Sequence, residues 1–221
     1  MKTYIVDSLN IDGMPKPYHN ESTNLIYNLL FCDSIGLYRR SASQTNQYPW
    51  SILMADTSDV ADLRKIIDDE KTESRMKILA YNLLREGGQN VNTKELHGVI
   101  VEVGIDAGLD VLASFRDGSA RYINHTGKMV IWETSNNTSE ALITQLFNAS
   151  ANIVKQIGPW DKPRRPHPSR GVVRITFLVS DGLYFGEGPI AALFNDALAG
   201  PALMSATKLM QYLTENVVNA Q

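Results

Sequence analysis

Between residues 98 and 133, apolar and polar positions alternate with the period of two that a β-strand imposes on its two faces. Val99, Val101, Val103 and Ile105 form one such run, Asp106-Ala107-Gly108 supplies a turn, and Leu109, Val111, Ala113 and Phe115 alternate back, which predicts a hairpin. Asp117-Gly118 suits a two-residue type I′ turn, which would pair Phe115 with Ala120 and Ala113 with Tyr122. His125-Thr126-Gly127 turns the chain once more into residues 128–133, so four strands are predicted as an antiparallel meander. In that register one face is continuously apolar, with Val99, Val101, Val103, Val111, Ala113, Phe115, Tyr122, Val130 and Trp132, and it needs a cover of helices. The other face is mixed: Ile100, Leu112, Ile123, Met129 and Ile131 stand beside Glu102, Ser114, Arg116 and Arg121. Such a face is too apolar to leave wet and too charged to bury unpaired. It reads as a ligand pocket, as a subunit interface, or as the seat of the N-terminal segment with Glu102 and Arg121 paired.

Elsewhere the period is helical. Behind the N-cap candidates Thr57, Ser58 and Asp59, the stripe Val60, Leu63, Ile66 and Ile67 is followed, out of register, by Met76, Leu79, Ala80, Leu83 and Leu84, and Gly87-Gly88 ends the run. This predicts a helical hairpin broken within residues 68–72. Thr138 or Ser139 can cap a helix carrying Leu142, Leu146, Ile153 and Val154, which Gly158-Pro159 stops. Residues 172–180 and 183–185 predict a second hairpin about Asp181-Gly182. Gly186-Glu187-Gly188-Pro189 then reads as a tight turn into a helix near Ile190, and Leu203, Ala206, Leu209, Met210 and Leu213 mark a last helix. The first fifty residues are less legible. Residues 25–31 fit strand or helix, residues 41–47 read as an exposed loop that could serve as a flap, and Trp50 to Ala55 as a short strand. The fold class is therefore α+β: an antiparallel sheet, with a meander at about 98–133 and a hairpin at about 172–186, flanked by helices. An N-terminal α+β portion spans 1–158, a hairpin with two helices spans 171–221, and a Pro/Arg-rich connector at 159–170 joins them into one compact domain or divides two tightly associated halves.

Composition narrows the function classes. The 221 residues are 43% hydrophobic and 20% charged, which is ordinary for a globular chain and excludes collagen-like or largely disordered types. With 21 Lys+Arg against 24 Asp+Glu the formal charge is −3, so no broad basic field favours nucleic acid or anionic membrane. The single Cys32 forbids an internal disulfide and suits a reducing compartment. No apolar run reaches the roughly 18 residues of a membrane span, and the opening apolar run is too short for a secretion signal. A soluble, cytoplasmic protein is expected. Five Asn-x-Ser/Thr triplets, at Asn20, Asn124, Asn136, Asn137 and Asn148, therefore carry no glycosylation meaning.

The strongest charge anomaly is the connector. From Lys155 to Arg174 there are six Lys/Arg and one Asp, a formal +5, which leaves −8 for the rest of a −3 chain. Four prolines between 159 and 170 favour extended backbone, and Arg164, Arg165 and Arg170 could hold a phosphate or carboxylate with little ordering cost. The alternative is a strap whose arginines pair with the protein's own carboxylates. Glu187 and His167 are the candidate proton-transfer groups. His97 and His125 fall at opposite ends of the meander, about 20 Å apart at ~3.3 Å per residue, so they cannot share a metal. No metal or cofactor is implied. Cys32 lacks an adjoining positive group and reads as a structural thiol, and no Gly-x-Ser-x-Gly elbow is present. Tyr122, Trp132 and Phe115 belong to the core rather than to a stacking surface for bases.

None of these motifs specifies an activity. The reading they favour is a non-catalytic intracellular binding or interaction protein, with a protein partner or a small anionic ligand and with homo-oligomerisation open. The alternative is an enzyme acting on a phosphate- or carboxylate-bearing substrate through Arg164, Arg165 and Arg170, with Glu187 or His167 moving protons.

Overall fold

A computed structural model describes residues 13–41 and 46–218; the loop expected at 41–47 falls largely outside them. Among the described residues eight helices and six strands follow one another: α1 Glu21–Leu29, α2 Ile35–Ser41, α3 Trp50–Leu53, α4 Val60–Asp68, α5 Ser74–Glu86, β1 Leu96–Ile105, β2 Gly108–Phe115, β3 Ala120–Ile123, β4 Met129–Trp132, α6 Asn137–Val154, β5 Val172–Val179, β6 Gly182–Pro189, α7 Ile190–Phe194 and α8 Ala199–Val218. The strands form one antiparallel sheet in the order β4-β3-β2-β1-β5-β6. The fold is α+β, as expected, and the C-terminal hairpin extends the meander by pairing β5 with the free edge of β1. No helix among the described residues is long and apolar enough to cross a membrane.

The register corrects the sequence reading. The first turn is the pair Asp106-Ala107, because Ile105 faces Gly108 rather than Leu109. The second is Arg116-Asp117-Gly118, because the Phe115 N–H donates to the Ser119 carbonyl and Gly118 takes φ +89°. That positive φ closes the loop one residue longer than a type I′ turn. Each one-residue difference moves a strand's whole side-chain set to the other face. Val111, Ala113 and Phe115 therefore share a face with Ile100 and Glu102, whereas Leu112 and Ser114 lie with Val99 and Val101. Ala113, not Ser114, pairs with Arg121, and Val111, not Leu112, pairs with Glu102. The two slips cancel at β3, so Tyr122, Val130 and Trp132 do lie on the Val99 face.

Both faces are covered. Helices α1 to α5 bury Tyr27, Phe31, Leu53, Ile66 and Leu79 against Ile100, Val111, Ala113 and Phe115. Helices α6 and α8 bury Leu146, Leu203, Leu209 and Leu213 against Val99, Val101, Ile175 and Phe177. The N-terminal segment thus lies over the mixed face, but Glu102 meets Tyr27 and Arg174 there, and Arg121 bonds Glu133 instead.

Three local expectations change. Residues 50–53 form a helical turn, not a strand, which stacks Trp50 on Tyr38 at 5.7 Å; so short an apolar run has no period to discriminate the two. Gly186 to Pro189 continues β6 to its end rather than forming a turn, which an edge strand permits because one side of it needs no ladder partner. Helix α6 is capped two residues before Thr138, the earlier of the expected caps: Asn136 accepts from Thr138 and Ser139, and the Ser139 hydroxyl closes a capping box. Asn20 caps α1 in the same way, and the Asn124 carboxamide ties the β3–β4 turn, so three of the Asn-x-Ser/Thr triplets begin at asparagines with structural work.

Candidate functional site

The connector crosses the α1 side of the sheet. It leaves the β6 edge where the Trp160 N–H donates to the Leu183 carbonyl at 2.7 Å, and it reaches the end of β1, where a Cβ on Gly104 would run into the Ser169 carbonyl. Underneath, Glu102, Arg174 and Glu187 are register partners on three adjacent strands, which makes a negative, positive, negative ladder across β1, β5 and β6. Glu102 is fully buried and Arg174 nearly so. The Arg174 guanidinium donates to Glu187 through Nε at 2.7 Å and through Nη2, to the Pro166 carbonyl at 2.6 Å, and towards Glu102 at 3.5 Å. Burial pushes the Glu102 carboxyl above its usual range, opposed by the Tyr27 hydroxyl donating at 2.6 Å and by the guanidinium of Arg174.

The candidate anion-binding arginines all find carboxylates of the chain itself. Arg164 donates to Asp33 at 2.8 Å and to Asn28 at 2.7 Å, and lies 3.8 Å from the Phe31 ring centroid. Arg165 pairs with Glu187 at 3.0 Å, and Arg170 pairs with Asp106 at the surface. Glu187 is held between Arg165 and Arg174, while His167 is exposed, with Nδ1 3.3 Å from the Pro168 carbonyl. The structure therefore brings Arg164, Arg165 and Glu187 to one region and leaves Arg170 at the far end of the strap. An incoming phosphate or carboxylate would have to displace partners that already neutralise these guanidinium groups. Cys32 is buried, and burial pushes its thiol up to about 12, which removes the thiolate a nucleophile needs. Among the described residues no His, Cys, Asp and Glu group has the arrangement of a metal site.

The opposite face holds a feature that the sequence reading missed. A cavity of about 300 Å³ lies between the sheet and the two C-terminal helices. Val101, Val103 and Leu112 form its floor, and Ile190 and Phe194 of α7 form one wall. The other wall is the stripe Leu203, Ala206, Thr207 and Met210 of α8, at the spacing that puts four residues on one helix face. Ala206 is the small member of that stripe. At one end stand Asp110 and Tyr122. The Tyr122 hydroxyl donates to Asp110 Oδ2 at 3.0 Å, and the His125 N–H donates to Oδ1 at 2.7 Å. Burial, and after it the charge of Asp110, push the Tyr122 phenol well up, so it keeps its proton and serves as a donor. The Asp110 side chain is 28% exposed, so water reaches this polar end.

The signal that could have exposed this cavity is Asp110, a lone carboxylate on the strand face that carries Val99, Val101, Val103, Leu112 and Ser114. It appears there only in the observed register. Comparison with known proteins found no matching family model and no similar curated protein.

Proposed function

We propose that this is a non-catalytic binding protein, working in the cytoplasm, whose ligand seat is the cavity between α7, α8 and the sheet. One observation carries the reading: about 300 Å³ of largely apolar space in which Asp110 and Tyr122 form a hydrogen-bonded polar pair. Small-molecule sites have this build, apolar walls for affinity and a few placed polar groups for orientation. The volume is at the small end of such sites, which suits a compact ligand. The enzyme alternative draws less support, because Arg164 already pairs with Asp33 and Arg165 with Glu187.

The test uses N-phenyl-1-naphthylamine, a neutral dye that brightens in apolar surroundings. It should bind saturably to the native chain, and Ala206→Phe, which fills the cavity from the α8 stripe, should reduce its affinity at least tenfold while far-UV circular dichroism stays unchanged. Equal binding by a folded Ala206→Phe protein would overturn the cavity as the ligand seat.

A further inference from the structure

The carboxylates of this protein differ in what faces them, and Asp110 is the carboxylate that lines the apolar cavity, where it specifies the ligand's head group. Asp33, Asp106, Glu133 and Glu187 each pair with a guanidinium group, and buried Glu102 faces Arg174. Asp110 lines the cavity and is held by two neutral donors, the Tyr122 hydroxyl and the His125 main-chain N–H. Those bonds fix the orientation of the carboxylate without cancelling its charge. Its one ion-pair neighbour among the described residues is the His125 ring, Nδ1 to Oδ1 at 3.4 Å, and that ring is charged only when protonated. A carboxylate lining an apolar cavity, with a Lys or Arg ion-pair partner absent among the described residues, keeps a negative charge that a bound cation can answer.

Resting on the cavity as ligand seat, we propose that the ligand is an organic cation: an apolar body in the space between Val101, Val103, Phe194 and Met210, with a protonated amine against Asp110. Charge-assisted N–H to carboxylate bonds are the stronger kind, and the two neutral donors pre-orient the acceptor so that little ordering is left to the binding step. The two remaining lone-pair directions of Asp110 suit an ammonium group, which donates three hydrogen bonds from a compact centre. An anionic head would meet the Asp110 charge, and a neutral hydroxyl would gain only an ordinary hydrogen bond.

Octylamine, 1-octanol and octanoate share one chain and differ only in the head, so displacement of N-phenyl-1-naphthylamine by each isolates the head-group contribution. The expected order is octylamine at least tenfold tighter than 1-octanol, with octanoate weakest. Asp110→Asn, which keeps the shape and one acceptor oxygen, should bring octylamine to within twofold of 1-octanol and leave 1-octanol unchanged. Tyr122→Phe keeps the charge and should preserve the preference for the amine, which guards against Asp110→Asn simply failing to fold. If all three compounds displace the dye equally in the native chain, or if octylamine keeps its advantage in a folded Asp110→Asn protein, the cationic ligand is overturned while the cavity stands. If none displaces the dye and Ala206→Phe does not weaken dye binding, the cavity itself is overturned as the site.

Discussion

On the α1 side of the sheet, Glu102 is sealed from water and answered by Arg174, which is answered in turn by Glu187, and the connector's own carbonyls close over the guanidinium. On the α8 side, Asp110 stands at the rim of an apolar cavity, oriented by neutral donors. Both carboxylates are well hydrogen-bonded, but only the first is neutralised from within. Charge that is balanced internally fixes the position of a strap and a helix; charge that is positioned without a guanidinium partner beside an apolar cavity is, on the function proposed above, the anchor of a ligand. The basic connector, the more conspicuous feature along the chain, belongs to the first kind, and the modest Asp110 to the second.

This contrast can be broken first at Arg174. Replacing it with Met leaves Glu102 buried without its counter-charge, and the expected cost is about 3–5 kcal/mol in urea unfolding, part of which Glu102→Gln in the same chain should restore. A cost below about 1 kcal/mol would mean that the ladder is not the closed unit described.

A smaller effect is expected from acid. The β1–β5 register shifts between Leu96 and Gly98, and His97 lies there against Tyr81 with its ring 5.4 Å away. Burial, followed by the positive charges of Arg116 and Lys77, holds its pKa down at about 4. Glu95 lies 3.7 Å away but is half exposed, so water screens its pull. Because the folded pKa is depressed, the unfolded chain takes the proton first as pH falls. The full stability is present above about 6.5 and is lost progressively towards pH 4, by on the order of 3 kcal/mol. His97→Phe should flatten that slope in denaturation measured across pH 7 to 4, and an unchanged slope would remove His97 as its source.

The smallest effect belongs to the strap's outer end. The Arg170 and Asp106 side chains are 75% and 74% exposed, so Arg170→Ala should change stability by less than about 0.5 kcal/mol and leave dye binding intact. A large loss there would show that the strap is held from its exposed end rather than from the ladder.

Local chemistry by itself determined the α+β class, the meander, the second hairpin, the helical hairpin and the two long C-terminal-half helices, because alternation, helical stripes and turn residues act over a few neighbours. It also offered pairing with the chain's own carboxylates as one outcome for the connector arginines. What only the tertiary structure decided is which carboxylates those were, since Asp33 and Arg164 lie 131 positions apart and nothing local links them. It likewise decided the faces of β2: the positive φ of Gly118 and the shorter turn at Asp106-Ala107 each displaced the register by one residue, and at a period of two that exchanges inside for outside. The cavity followed from that exchange. It needs Asp110 on the Val101 face and Ala206 opposite, and the empty space between a strand and a helix exists only once both have been packed.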